Sequence, residues 1–327
     1  MAQALTDSEL LRLADALADG QWHSGEALAA ASGITRAALA KRVARLRGWQ
    51  LDVEARQGLG YRLAQPIERL DAQALQRAAP GMRVEVLALA DSTSSRMLEA
   101  DPALDPQALF AEFQAQGRGR RGRAWASPFG ANLYLSIGWS FASWPPQLTA
   151  LPLAVGVACA RIVRAAGLAE AGLKWPNDLL LDGRKLGGIL IEHRGEAGGP
   201  CRVVVGVGLN VAMSARQAGA IEQPWTSVHA AQAARGLPLT PRPRLAAELL
   251  AALHAALQDF ARSGFASFAA DWAALDLTRD RSVRISSAQQ ELSGIARGVD
   301  EHGALLLEAD GAIQRLHSGE VSLRAAP

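Results

Sequence analysis

Apolar residues recur at helical spacing at Leu10, Leu13, Ala14 and Leu17, behind a Thr6/Glu9 pair at capping-box spacing, and Gly20 ends the run. The pattern predicts a second helix over about 25–31 and a tight turn at Ser32-Gly33-Ile34. A third helix starts at Thr35, with Leu39, Val43 and Leu46 on one face. Two short alternating strands follow, 51–54 and 61–63, joined by a turn at Gln57-Gly58-Leu59-Gly60. Pro66 opens a linker that runs through a short helical stretch to Pro80-Gly81. From about 82 to 275 the apolar pattern switches repeatedly between strand and helix. It predicts strands at 83–89, 109–114, 133–139, 178–181, 186–192 and 202–207, and helices at 147–166, 243–262 and 265–275, a sheet covered by helices. Asp182-Gly183 between two apolar runs is a hairpin signal. From about 281 to 324 only short strands are predicted, with a second hairpin turn at Asp310-Gly311. This tail reads as a small β-barrel of about 45 residues, below the size that folds comfortably alone, so it is expected to dock on the central part.

Composition narrows the class. The 327 residues are 49% hydrophobic and 20% charged, which excludes disorder, a collagen-like chain and a small disulfide-stapled fold. Two cysteines, Cys159 and Cys201, form no framework and suit a reducing compartment. The acidic, amphipathic start carries no export signal, so a cytoplasmic location is expected. No charge lies between Arg123 and Arg161, yet Pro128, Asn132, Pro145-Pro146 and Pro152 interrupt that run. It reads as buried strand, loop and buried helix, with no membrane span.

A net charge of +2 is too small to mark the whole chain as a nucleic-acid coat, so any basic surface is local. Arg36, Lys41, Arg42, Arg45, Arg47, Arg56 and Arg62 cluster on the third helix and its hairpin, against only Asp52 and Glu54. Helix, Gly-containing turn, basic second helix and a hairpin wing together fit a helix-turn-helix that reaches a phosphate backbone. The candidate DNA contacts are Thr35, Arg36, Lys41, Arg42 and Arg45. The plainer alternative is a solvated basic face.

Lysine and arginine together number 34, but lysine occurs only at Lys41, Lys174 and Lys185. Lysines that survive such a bias mark places where a compact ammonium is needed. Lys174-Trp175-Pro176-Asn177-Asp178 and Arg184-Lys185-Leu186-Gly187-Gly188 flank the Asp182-Gly183 turn, so both lysines and Asp178 can face one pocket. A lysine there can hold a carboxylate or an α-phosphate during nucleophilic attack. Asp178 is a candidate Mg²⁺ ligand, although one carboxylate is a thin donor set; the alternative is an ion pair. Gln114-Ala115-Gln116-Gly117-Arg118-Gly119-Arg120-Arg121-Gly122-Arg123 follows a predicted strand. Its guanidinium groups repel one another and its glycines give little order, so the loop is expected to be disordered alone and to close over a nucleotide or pyrophosphate. Several chemistries are excluded by motif. There is no P-loop, no zinc spacing, no H-E-x-x-H and no G-x-S-x-G elbow, and Gly206-Val207-Gly208-Leu209-Asn210-Val211 lacks the third glycine of a dinucleotide fingerprint.

Four ordered segments carry a family resemblance: Asp91-Ser92-Thr93-Ser94, 116–125, 174–178 and 183–190. They resemble the signature of biotin protein ligases, and with the flanking units the whole chain resembles the bifunctional biotin ligase and biotin-operon repressor proteins. The resemblance implies an α+β multidomain fold: a winged helix-turn-helix over 1–65, a linker over 66–81, a biotin ligase catalytic domain with a mixed sheet over 82–277, and a C-terminal SH3-like small β-barrel over 278–327. It implies ATP, biotin and Mg²⁺, and two steps. Biotin carboxylate attacks the α-phosphate of ATP, and a lysine of the biotin carboxyl carrier protein, an acetyl-CoA carboxylase subunit, then takes the biotinyl group. Lys185 and Arg120 match the catalytic residues. Ser92, Thr93, Ser94, Gln114, Arg118, Gly119, Arg120, Lys185 and Gly188 match positions toward biotin. Arg118, Arg120, Arg121, Trp125, Lys174, Asn177 and Asn210 match positions toward the nucleotide. Ser94 stands where the family often has asparagine. The implied partners are the carrier protein, biotin operator DNA and a second copy of the chain when the adenylate is bound, with no membrane. The sheet edge near 186–192, followed by the Gly-rich loop 193–200, is where the second copy is expected to pair. Three other readings are a ligand-sensing DNA-binding protein with little ligase activity, a ligase whose winged helix no longer represses, and a lipoate-attaching enzyme.

Overall fold

The computed structural model describes residues 6–195, 199–219, 221–286, 291–317 and 322–325. The N-terminal unit holds α1 (Asp7–Ala16), α2 (Gly25–Ala31), α3 (Arg36–Gly48) and an antiparallel hairpin of β1 (Val53–Arg56) and β2 (Gly60–Leu63). Each helix starts where a side chain satisfies its first free amide groups. Glu9 accepts from Thr6 N at 3.0 Å, Ser24 caps α2, and Thr35 Oγ1 accepts from Ala38 N at 3.2 Å. Leu10, Leu13, Leu17, Leu39, Val43 and Leu46 form its core, as their spacing predicted. Phe129, from the central part of the chain, completes that core at 1% exposure and stacks on Trp49 with ring centroids 5.6 Å apart.

The stretch expected to be a linker is packed structure. It contains α4 (Ala72–Ala78), and Leu75, Ala79 and Met82 are buried in the central core.

The central unit is a seven-stranded mixed sheet ordered β3-β4-β5-β9-β8-β7-β6. Its strands are β3 (Arg83–Ala90), β4 (Gln107–Gln114), β5 (Leu133–Phe141), β6 (Gly172–Lys174), β7 (Asp178–Leu181), β8 (Arg184–Gly195) and β9 (Cys201–Leu209). Only β3 and β4 pair in parallel. α5 (Thr93–Glu99) follows β3, and α6 (Leu151–Ala165) follows β5. α7 (Val228–Ala234), α8 (Arg242–Ser263) and α9 (Ala269–Leu275) follow β9. Strand alternation sorts the two faces. Leu133, Leu135, Ile137, Val203, Val205 and Val207 join the large core with α6 and α8, while Val204 packs with Met97 of α5. On that second face β5 and β9 carry Ser136, Gly206 and Gly208, too small to fill the space above them. The uncharged run spans β5, the loops around it and the first part of α6. The segment 148–165 is long and apolar enough to cross a membrane by composition, but 67% of it is buried in this core.

Both predicted hairpin turns form, with Asp182 and Gly183 at φ 50° and 71°, and Asp310 and Gly311 at 52° and 76°. The C-terminal part is a five-stranded antiparallel sheet of β10 (Ser282–Ser286), β11 (Glu291–Val299), β12 (Leu305–Ala309), β13 (Ala312–Leu316) and β14 (Ser322–Ala325). It docks where expected: Trp175 Nε1, fully buried, donates to Gly303 O at 3.0 Å.

Three local expectations are corrected. The second strand of the central hairpin begins at Arg184 and runs to Gly195, and β7 covers it only through Gly188. Leu186–Gly188 is therefore no free edge; beyond Ile189, β8 is paired by β9 on one side alone among the described residues. The Gly-rich segment expected over 193–200 is strand through Gly195, and residues 196–198 lie outside the described residues. Arg42 does not face outward. It is 8% exposed and bonds Glu9 at 2.6 Å, because position 42 lies beside Leu39, Val43 and Leu46 on the packed side of α3.

Candidate active site

The open face of the sheet is a cleft of about 1320 Å³, larger than most single-ligand pockets and roomy enough for a nucleotide beside a second small molecule. Every cleft residue singled out from sequence lines it except Ser92. Ser92 is the N-cap of α5, and its hydroxyl accepts from Ser95 N at 3.3 Å.

One end is polar and uncharged. Gln114 Oε1 accepts from Thr93 N at 2.8 Å and Thr93 Oγ1 at 3.1 Å, and its Nε2 donates to Ser127 Oγ at 2.9 Å. Ser136 Oγ donates to Thr93 Oγ1 at 2.9 Å and lies 3.1 Å from Ser94 Oγ. All five side chains are buried. This hydroxyl–amide chain can turn donors and acceptors toward a neutral polar ring without burying a charge. Sequence reasoning missed Ser127 and Ser136. The signal for Ser136 was a lone serine inside the apolar run Leu133–Ile137.

The other end is cationic. The β7–β8 hairpin brings Lys185 Nζ to 2.7 Å and Lys174 Nζ to 3.1 Å from the two oxygens of Asp178. Burial pushes the Asp178 carboxyl up, but the Lys185 and Lys174 charges outweigh it and hold it below the usual carboxylate value. Both oxygens face ammonium groups, and no cluster of three or more His, Cys, Asp or Glu occurs among the described residues. These residues do not fit a protein-held Mg²⁺.

The arginine loop closes over this end. Gly119 N donates to Arg123 O at 2.7 Å, Trp125 N to Gly117 O at 2.8 Å, and Arg118 bridges Ala124. Arg118 reaches Glu192 at 2.7 Å, and Arg120 donates to Asn177 Oδ1 at 3.1 Å. The loop expected to lack order of its own is thus held by its own backbone and by side-chain contacts to Ser95, Glu192 and Asn177. Burial first, then the Arg121 charge, pull the Arg120 guanidinium below its ordinary value, against Asp178. A negative charge bound beside Arg120 would relieve that. Asn210 is buried and braces the wall; its Nδ2 donates to Thr226 O at 3.1 Å beside Lys185.

The floor explains the near-fingerprint at 206–211. A Cβ at Gly208 would lie 2.6 Å from Trp125 Nε1, and one at Gly206 would lie 2.7 Å from Ser94 Oγ. The glycines give clearance to the cleft and have no dinucleotide role. Trp125 packs over Gly188 and Gly208, its ring centroid 5.6 Å from Lys185 Nζ, and its buried Nε1 has no partner among the described residues. A flat ring with an unanswered N–H beside a cation suits a planar heterocycle.

On the N-terminal unit, Arg36, Lys41 and Arg45 are exposed on α3, and Thr35 caps it.

Comparison with known proteins agrees with this geometry. Residues 88–210 match the Biotin/lipoate A/B protein ligase family and residues 280–324 the Biotin protein ligase C terminal domain. The chain is 42% identical over 317 residues to the Bifunctional ligase/repressor BirA of Salmonella typhimurium, covering 97% of this chain and 98% of that protein. It is 36% identical over 270 residues to the Biotin--[acetyl-CoA-carboxylase] ligase of Mycobacterium tuberculosis, covering 80% and 97% of the two. Among solved structures, the biotin protein ligase from Aquifex aeolicus in complex with biotin and ATP superposes with a TM-score of 0.61 at 26% identity, over 75% of this chain and 99% of that one. A two-ended cleft on this sheet, and a near full-length match at that identity, place the chain in the biotin protein ligase family.

Proposed function

We propose that the protein is an ATP-dependent biotin protein ligase that also represses transcription of biotin-synthesis genes. The cleft's two ends carry this reading: an uncharged hydroxyl–amide chain at Thr93, Ser94, Ser136 and Gln114, and a cationic wall at Lys185, Lys174 and Arg120. The uncharged ureido head of biotin suits the first, and ATP suits the second. A biotin carboxylate oxygen attacks the α-phosphorus of ATP, the bond to the bridging oxygen breaks, and pyrophosphate leaves. Lys185 neutralises the charge that builds between carboxylate and phosphate. Trp125 stacks on the adenine. The Arg118–Arg123 loop covers the resulting mixed anhydride and keeps water from it. A lysine amine of the carrier protein then attacks the biotinyl carbonyl, AMP departs, and the amine's proton is released.

The N-terminal unit acts as a winged helix-turn-helix, with Arg36, Lys41 and Arg45 toward operator DNA, and the C-terminal sheet as a small SH3-like barrel. Two copies pair along the free part of β8 when the adenylate is bound, and the protein works in the cytoplasm. The experiment is incubation with ATP, labelled biotin and a biotin carboxyl carrier domain. Biotin-dependent pyrophosphate exchange and labelling of one carrier lysine are expected. Label transfer from lipoate in place of biotin would overturn the substrate.

A further inference from the structure

The segment leading into the C-terminal sheet, with the start of β10, supplies part of the cleft wall: Thr278, Arg281, Ser282 and Val283 all line it. We propose that Arg281 is a phosphate-contacting residue, which meets the polyphosphate end of the bound nucleotide and then the departing pyrophosphate. This rests on the ligase reading above.

Connectivity puts Arg281 at that end. Leu277 N donates to Leu173 O at 2.9 Å, and Asp276 pairs with Leu173 in parallel. Leu277 therefore lies alongside the strand that carries Lys174, and the turn over 277–280 delivers Arg281 to the cleft that Lys174 and Asp178 also line. Its backbone is fixed there from both sides, its N–H donating to Thr278 O at 3.1 Å and its C=O accepting from Ala296 N at 3.0 Å. The Trp175–Gly303 hydrogen bond ties the whole sheet to the same lip.

Its pairing sets it apart from its neighbours. Arg279, Arg284 and Arg297 each pair with a carboxylate of the C-terminal sheet. Arg281 is exposed and has no carboxylate partner among the described residues. Lys174 and Lys185 are both held by Asp178, and Arg118 by Glu192. Arg281 therefore lines the cleft with no carboxylate partner among the described residues. A guanidinium so placed matches a phosphate in a two-pronged geometry, which lysine does not reproduce.

The test measures biotin-dependent ATP–pyrophosphate exchange in the full-length protein carrying Arg281→Ala, with biotin binding measured separately by calorimetry. The expected result is a KM for ATP and for pyrophosphate raised about tenfold, the loss of one charge-assisted hydrogen bond. Biotin affinity stays as in the wild type, Arg281→Lys recovers part of the loss, and Arg284→Ala, outside the cleft, matches the wild type. Unchanged KM values in Arg281→Ala, with active wild-type protein, overturn the assignment alone. Wild-type protein that neither binds ATP nor exchanges pyrophosphate overturns the ligase reading and the assignment together.

Discussion

At the scale of single residues, the site works by answering some charges and leaving others open. Asp178 holds two ammonium groups within 3.1 Å, so both lysines are positioned at the cationic end of the cleft. Lys185→Ala removes the group nearest Asp178 and should lower the adenylation rate by about two to three orders of magnitude, equivalent to about 2.7–4 kcal/mol, as for loss of an oxyanion donor. Pyrophosphate exchange checks this, and a wild-type rate refutes the role. Arg120 differs from Lys185 because it belongs to the loop and touches Asn177 across the cleft. Arg120→Gly should still form the adenylate and release it early, so that lysines on bystander proteins become biotinylated. Retention of the intermediate for as long as in the wild type would show that the loop is no lid. The residues themselves were legible: lysine is so rare in this chain that Lys174 and Lys185 announced themselves. Arg42 was misread by its type: three positions after Leu39 and four before Leu46, it stands on the apolar face, and only its partner Glu9 had to come from the fold.

At the scale of elements, small residues and one buried ion pair shape the site. Gly206 and Gly208 alternate on the cleft side of β9 while Val203, Val205 and Val207 fill the core side. In sequence these glycines resemble a failed nucleotide fingerprint, because the difference between a phosphate turn and a bare strand face is made by pairing with β5 and β8. Beneath β4, Glu112 is fully buried and accepts from Leu70 N at 2.7 Å and from Arg242 at 2.6 Å. Arg242 also donates to Glu68 O at 2.8 Å. This pair fastens the segment after the N-terminal unit to the start of α8. Arg242→Ala leaves a buried carboxylate without its counter-charge and should destabilise the protein by about 3–5 kcal/mol. Urea unfolding followed by fluorescence measures this, and an unchanged midpoint would contradict it. No local pattern pairs position 112 with 242, so this contact was invisible before the fold.

At the scale of the whole molecule, the cleft and the basic helix are mechanically joined. Phe129 N donates to Trp49 O at 3.0 Å, and Arg216 reaches Asp52 at 2.6 Å. Ser127, two residues before Phe129, is hydrogen-bonded to Gln114 at the uncharged end of the cleft. Exposed cations on one α3 give modest reach to a phosphate backbone, and two half-sites read by a two-fold dimer give more. Adenylate-loaded protein is therefore expected to dimerise and bind its operator more tightly than ligand-free protein at equal salt. Sedimentation and operator titration with and without biotin and ATP check this. Equal binding by the two forms would sever the coupling, and no binding by either would leave α3 a solvated basic face.

The sequence by itself determined the helices other than α5 and α7, the two Asp-Gly hairpins, the lysine pair and the order of the motifs. Each of these is a local matter of period, turn chemistry or residue scarcity, read within a few positions. Only the tertiary structure decided which polar residues meet. Ser136 joined Thr93, Arg42 met Glu9, Phe129 entered the N-terminal core, and Arg281 came to line the same cleft as Lys174. Those contacts depend on strand order and docking, and strand order is fixed by burying whole faces at once, a sum over the chain that no short window contains.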